Sequence, residues 1–139
     1  EEKMLSGEES AFAYRTSVYQ TLPCVIVKAV LRLQPGDPET IGQTMRTLMK
    51  KRKASQPLEL PSAGSTFKRP TGYFAGPLIE QARLKGCGVG GAEVAKKHAG
   101  FIVNTGGATA EDIKKTIAMV QSRVWETSGV RLEPEVRIW

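Results

Sequence analysis

Between residues 100 and 139 the apolar positions change their spacing twice, and this constrains the fold more than any other feature of the chain. Residues 100–104 read GFIVN, a short apolar run closed by Thr105-Gly106-Gly107, the pattern of a buried strand. Thr109 then stands as a helix cap with Asp112 three residues on, and Ile113, Ile117, Val120 and Val124 recur at helical spacing up to Gly129. The last segment, VRLEPEVRIW, alternates: Val130, Leu132, Val136 and Ile138 share one parity, Arg131, Glu133, Glu135 and Arg137 the other. A buried strand, a one-sided helix and a one-sided last strand bury their apolar faces by packing together. Pro134 has no backbone donor, so the last strand is expected at an edge or a bulge.

The rest of the chain adds elements of the same size. Residues 75–84 (AGPLIEQARL) carry Leu78, Ile79 and Ala82 on one side with Gly86 beyond, which predicts a short helix with a glycine stop. Asp37 before Pro38 predicts a helix start, and Ile41, Met45, Leu48 and Met49 carry that helix to about Lys53. Residues 25–33 (VIVKAVLRL), rich in β-branched side chains, predict a strand with one well-buried face. Residues 54–70, with Pro57, Pro61, Gly64 and Pro70, predict a loop or short extended structure, where ligand contacts concentrate. About three helices and four or five short strands without strict alternation give an α+β domain: a single mixed or antiparallel sheet with helices packed mainly on one face.

A chain of 139 residues holds one domain, or one domain with a tail of another. At 40% hydrophobic and 24% charged it has the composition of a folded chain. It has no run of about 20 apolar residues, and Glu1-Glu2-Lys3 lacks the basic-then-apolar order of a signal peptide, so a cytoplasmic location without membrane partners is expected. Cys24 and Cys87 have no metal-ligand spacing and are expected to be free buried thiols; no metal site is expected. The net charge of +6 suits an anionic ligand. The basic run Lys50-Lys51-Arg52-Lys53 has no aromatic among it and complements the end of a helix dipole, so no nucleic-acid partner is expected.

Gly86, Gly88 and Gly91 match G-x-G-x-x-G, but a helix precedes them and an extended segment follows, the reverse of a dinucleotide-binding turn. Tight turns or a close backbone approach explain these glycines better. No nucleophile elbow, phosphate-binding loop or zinc-protease motif is present. Nothing local supports a triad of Ser65, His98 and a glutamate.

Five segments in order, FAYRTSVY, PSAGSTFKRPTGYFAGPLIEQARLKG, GGAEVAKKHAGFIVN, ATAEDI and LEPEVRI, together closely resemble the UDP-N-acetylenolpyruvoylglucosamine reductases (UDP-N-acetylmuramate dehydrogenases), flavoenzymes of bacterial peptidoglycan synthesis. The resemblance covers residues 12–138 and favours the branch with F-K-R-P and a shorter substrate loop. It implies that residues 36–139 are the substrate-binding domain and residues 1–35 the tail of a flavin-binding portion and its junction. The complete enzyme would use FAD and NADPH to reduce UDP-N-acetylenolpyruvoylglucosamine. This chain alone is expected neither to keep FAD nor to turn over, because the flavin-binding portion is its missing partner.

The resemblance also assigns residues. Ser65, in G-S-x-F-K, would give a proton to the substrate carbon, a task for which placement outweighs acidity. Arg15, in F-x-Y-R-x-S, and Glu135, in L-x-x-E-V, would hold the substrate carboxyl group and stabilise its developing charge. Lys53, Lys68 and Arg69 would meet the pyrophosphate, and His98 would make a polar substrate contact. Without the resemblance, Ser65 reads as a turn serine, Glu135 as a solvated glutamate beside Arg137 or Arg131, and His98 as a structural histidine. The alternative function is a small basic module for phosphorylated ligands or RNA without redox activity. A divided enzyme whose flavin half is another polypeptide is a third reading.

Overall fold

The computed structural model describes residues 1–13 and 16–138, in two units, Glu1–Gly36 and Asp37–Trp139. In the second unit α1 (Pro38–Ser55), β1 (Ser62–Ser65), α2 (Ala75–Gln81), β2 (Gly88–Val89), β3 (Ala92–Val94), β4 (Phe101–Asn104) and α3 (Ala110–Ser128) follow in order. The strands form one antiparallel sheet, β1-β4-β3-β2, on which α3 packs, with α2 beside it. This is an α+β fold, as the pattern of the sequence implied.

The two periodicities meet in the core. Ala92 and Val94 of β3 and Ile102 of β4 point towards Ile117, Val120 and Val124 of α3 and Leu78 and Ile79 of α2. Phe101 and Val103 point the other way and cluster with Ala95. Burying each large aliphatic chain of this set contributes about 1.5–3 kcal/mol. Thr116, fully buried in α3, accepts a bond from the Val89 amide at 3.1 Å and so fastens the helix to β2. The glycine-rich stretch is the β2–β3 hairpin. A Cβ on Gly88 would lie 1.8 Å from the Ala92 carbonyl oxygen, and one on Gly91 would lie 2.3 Å from that of Gly106. The space at these glycines is filled by the chain's own backbone, so the stretch is no cradle for a dinucleotide.

The last segment is shorter as a strand than its alternation predicts. It forms a single bridge, Phe67 to Pro134, flanked by bonds from the Lys68 amide to the Glu133 carbonyl and from the Glu135 amide to the Thr66 carbonyl, both 2.8 Å. This is a non-hydrogen-bonded antiparallel pair, in which the proline nitrogen faces the outer edge and its missing donor costs nothing. The parity holds, with Leu132 buried, Val130 and Val136 half-buried, and Arg131, Glu133, Glu135 and Arg137 exposed. Beyond Glu135 no further bridge forms among the described residues, and Ile138 is exposed.

Residues 25–33 form no strand. Val25, Ile26, Val27, Val30, Leu31 and Leu33 are all exposed, because no described segment pairs with them and an isolated strand leaves its backbone and apolar face in water. In the same unit Val18–Gln20 forms a 3-10 turn, and Ser10 is buried with its hydroxyl 2.8 Å from Tyr19 Oη. The helix α1 is capped by Asp37, which accepts from the Thr40 amide at 2.8 Å, yet it buries no residue, and Ile41, Met45, Leu48 and Met49 remain exposed. Both cysteines are free but exposed, not buried, since neither lies on an inward-facing position of the sheet or of α2 and α3. Among the described residues, no helix is long and apolar enough to cross a membrane.

The α3 cap is reciprocal: the Asp112 amide donates to Thr109 Oγ1 at 3.1 Å and the Thr109 amide to Asp112 Oδ2 at 2.9 Å. The Thr109 backbone bond, then its hydroxyl bond, hold Asp112 below its ordinary 3.8. A carboxylate depressed in the folded state stabilises fully above its unfolded value and loses that contribution as pH falls through the folded value. Thr109→Ala is expected to cost about 1 kcal/mol in urea unfolding at neutral pH. The difference from the unsubstituted chain should shrink when the measurement is repeated below the range in which Asp112 titrates.

Candidate functional site

The loop-to-strand passage at residues 62–68 sets the site. Ser62 pairs with Val103 and Ser65 with Phe101, three residues against two, so β1 carries a bulge, and Gly64 occupies it at φ +88°. Only glycine adopts that conformation without strain, and a bulge re-aims the side chains beside it. The Ser65 that follows is exposed; its Oγ has one long contact, 3.4 Å, to the Phe67 carbonyl, which leaves the hydroxyl available.

Thr66 fixes the passage on both sides. Its amide donates to the Gly100 carbonyl at 2.8 Å, its Oγ1 accepts from the Ile102 amide at 3.1 Å, and its carbonyl accepts from the Glu135 amide at 2.8 Å. The segment holding Glu135 therefore lies beside the residue that follows Ser65. Among the described residues, no hydrogen bond or ion pair joins the Ser65 and Glu135 side chains, and Glu135 is in no ion pair with Arg131 or Arg137. By register Glu135 stands across from Thr66 and Glu133 across from Lys68.

His98 borders the same place. Its Nδ1 accepts from the Gly100 amide at 3.1 Å, which puts the proton of the neutral ring on Nε2. The ring meets Phe101 edge-on with centroids 5.0 Å apart. A Cβ on Gly100 would lie 3.1 Å from the His98 ring and 3.8 Å from Ser65 Oγ, and one on Gly76 would lie 3.5 Å from the same ring. Gly100 thus lies between the histidine ring and the serine hydroxyl, where a side chain would crowd the ring, while at Gly76 a Cβ would only touch it.

Lys68 and Arg69 line a cleft of about 420 Å³ with Tyr73, Arg131 and Glu133. Lys68 is ion-paired to Glu133. Arg69 lies over the Phe74 ring at 3.9 Å and its Nε donates to the Tyr73 carbonyl at 3.3 Å. Lys53, in the exposed last turn of α1, does not line this cleft. Arg15 lies outside the described residues.

The structure thus brings Ser65, His98 and the backbone of Glu135 to one region and Lys68 and Arg69 to an adjoining cleft. It leaves Lys53 apart from that cleft. Sequence reasoning did not single out Thr66, whose one local signal is its place after Ser65. Nor did it single out Gly100, next to a histidine, or Arg131, which alternation alone had marked as exposed.

Comparison with known proteins identifies the family of the chain. Residues 56–139 match the family model described as UDP-N-acetylenolpyruvoylglucosamine reductase, C-terminal domain. A UDP-N-acetylenolpyruvoylglucosamine reductase of Streptococcus equi subsp. zooepidemicus is 52% identical over 136 residues, 98% of this chain and 46% of the relative. One from Caldanaerobacter subterraneus subsp. tengcongensis is 49% identical over 135 residues, 97% of this chain and 45% of the relative. The crystal structure of UDP-N-acetylenolpyruvylglucosamine reductase from Thermus caldophilus aligns with TM-score 0.77 and 35% identity, over 95% of this chain and 46% of that one. The fold class is that of a reductase C-terminal domain, an α+β sheet with its helices. The chain belongs to the UDP-N-acetylenolpyruvoylglucosamine reductase family, and it spans about half the length of the curated relatives it matches.

The different attachments of Ser65 and Thr66 separate a displayed residue from a structural one. Thr66→Val leaves the Ile102 amide unpaired in the interior and is expected to cost about 1–3 kcal/mol by urea unfolding. Ser65→Ala, which removes one long contact at the surface, is expected to stay within about 0.5 kcal/mol.

Proposed function

We propose that this chain is the substrate-binding part of a reductase that converts UDP-N-acetylenolpyruvoylglucosamine to UDP-N-acetylmuramate, an oxidoreductase step of peptidoglycan synthesis. The observation that carries the reading is the bond from the Glu135 amide to the Thr66 carbonyl, which sets the segments of Ser65 and Glu135 side by side, in a chain half identical to named reductases. Ser65, displayed by the Gly64 bulge with its hydroxyl nearly free, is the proton donor to the substrate carbon. Glu135 and Arg15 hold the carboxyl group of the enolpyruvyl ether and stabilise the charge that grows on it. A glutamate beside a carboxylate helps only while one of the two keeps a proton, so the pair works with the arginine's fixed charge. His98, with Nε2–H directed by the bond at Nδ1, offers a donor to the bound sugar. Lys68 and Arg69 face the pyrophosphate, and Lys53 joins them only if α1 is brought to the cleft.

The described residues do not fit a flavin: the one glycine-rich stretch is a hairpin packed against its own backbone. FAD and the NADPH that reduces it belong in this proposal to a flavin-binding portion, here the partner of the domain, whether on the same polypeptide or another. The composition and the absence of a spanning helix among the described residues suit a cytoplasmic enzyme.

Calorimetric titration of the 139-residue chain with UDP-N-acetylenolpyruvoylglucosamine is expected to saturate near one equivalent, with no flavin absorbance in the purified protein. In the complete reductase, the serine equivalent to Ser65 changed to alanine is expected to lower turnover by about 10²–10⁴-fold with substrate binding kept. Lack of any UDP-sugar binding, or full turnover by the alanine variant, would remove the reading.

A further inference from the structure

We propose that Arg131 is a further specificity residue for the diphosphate of the ligand, a second guanidinium that joins the already assigned Arg69 in the cleft between residues 68–73 and the end of α3. Each guanidinium is laid flat on an aromatic ring, Arg69 over Phe74 at 3.9 Å and Arg131 over Trp125 at 4.9 Å. Stacking occupies the faces of a guanidinium and leaves its N–H edges for an acceptor, with the side chain already ordered. Among the described residues neither arginine is in an ion pair, whereas Lys68, the third cation lining the cleft, is neutralised by Glu133. Glu133 is the one acid among the lining residues, so the cleft keeps two uncompensated positive charges. Two ordered guanidiniums without ion-pair partners, facing a cleft of about 420 Å³, suit a diphosphate, whose several acceptor oxygens and multiple negative charges engage both, better than a single carboxylate or a neutral ligand.

The direction of the last segment extends this to the proposed substrate. Arg131, Glu133 and Glu135 share one parity of an extended segment, so a ligand with its carboxyl group at Glu135 reaches Arg131 along one face over about 13 Å. That span suits a sugar joined to a diphosphate, and this part of the inference rests on the function proposed above.

The test uses the 139-residue chain labelled with ¹⁵N and titrated with sodium pyrophosphate at constant ionic strength, read at the Trp125 indole N–H. A saturable shift is expected. Arg131→Gln and Arg69→Gln should each weaken binding about tenfold, the effect of losing charged hydrogen bonds. Arg123→Gln, on the exposed side of α3 where Arg123 pairs with Glu126, should bind as the unsubstituted chain does. Arg131→Lys keeps the charge and the fold but not the flat fork, and should also bind more weakly. Shifts that rise linearly without saturation, or equal affinity for the Arg131 and Arg123 variants, would overturn the site. Pyrophosphate binding lost in Arg131→Gln while UDP-N-acetylenolpyruvoylglucosamine fails to bind at all keeps the cleft and removes the reductase reading. UDP-sugar binding unchanged in Arg131→Gln keeps the reductase reading and removes the cleft.

Discussion

Two backbone hydrogen bonds, from Lys68 to Glu133 and from Glu135 to Thr66, join residues 65 and 69 positions apart and govern what this domain presents at its edge. Without them nothing fixes Glu135 beside Thr66, although Arg131 is still held next to Leu132, whose carbonyl accepts from Gln121 Nε2 at 2.8 Å. With them, Phe67 and Leu132 are sealed into the core while the odd-numbered residues from 131 to 137 stand in a row outside it. Thr66 makes the arrangement stiff: its amide donates to Gly100 just before β4, its hydroxyl accepts from Ile102 of β4, and its carbonyl accepts from Glu135. A proton donor acts through placement, so a rigid backbone on both sides of Ser65 matters more to the proposed chemistry than any property of the hydroxyl.

The electrostatics follow the same geometry. The salt bridge that forms across the pair is Lys68 to Glu133, directly opposite in register, and it neutralises the one acid that lines the cleft. As a pair exposed to solvent it adds little to stability. Its consequence is in charge distribution: Glu135, one pair further along, keeps no cationic partner among the described residues, and the arginines on either side of the cleft keep theirs unspent.

Local signals were legible in the sequence and long-range ones were not. Asp37, Thr109, Asp112 and Gly129 delimit helices through bonds between residues three or four apart, which spacing reveals directly. The outer parity of residues 130–138 was readable for the same reason. The β1 bulge was not, because Gly64 in a stretch punctuated by Pro57, Pro61 and Pro70 reads equally well as an ordinary turn. Residues 25–33 show the limit of periodicity: alternation reports that a segment has an apolar face, never that a partner exists to cover it. The same holds for α1, well capped yet without a buried residue. For the site, Ser65, Glu135 and the cations were marked by resemblance, whereas Thr66 and Arg131 owe their parts to contacts with Ile102, Glu135 and Trp125 that no spacing announces.

The most direct measurement is the distance between the α-protons of Phe67 and Pro134, which a non-hydrogen-bonded antiparallel pair brings into close approach. A strong nuclear Overhauser effect between them, with slowly exchanging amides at Lys68 and Glu135, is the predicted result. Absence of that effect, with both amides exchanging as in an open tail, would contradict the account.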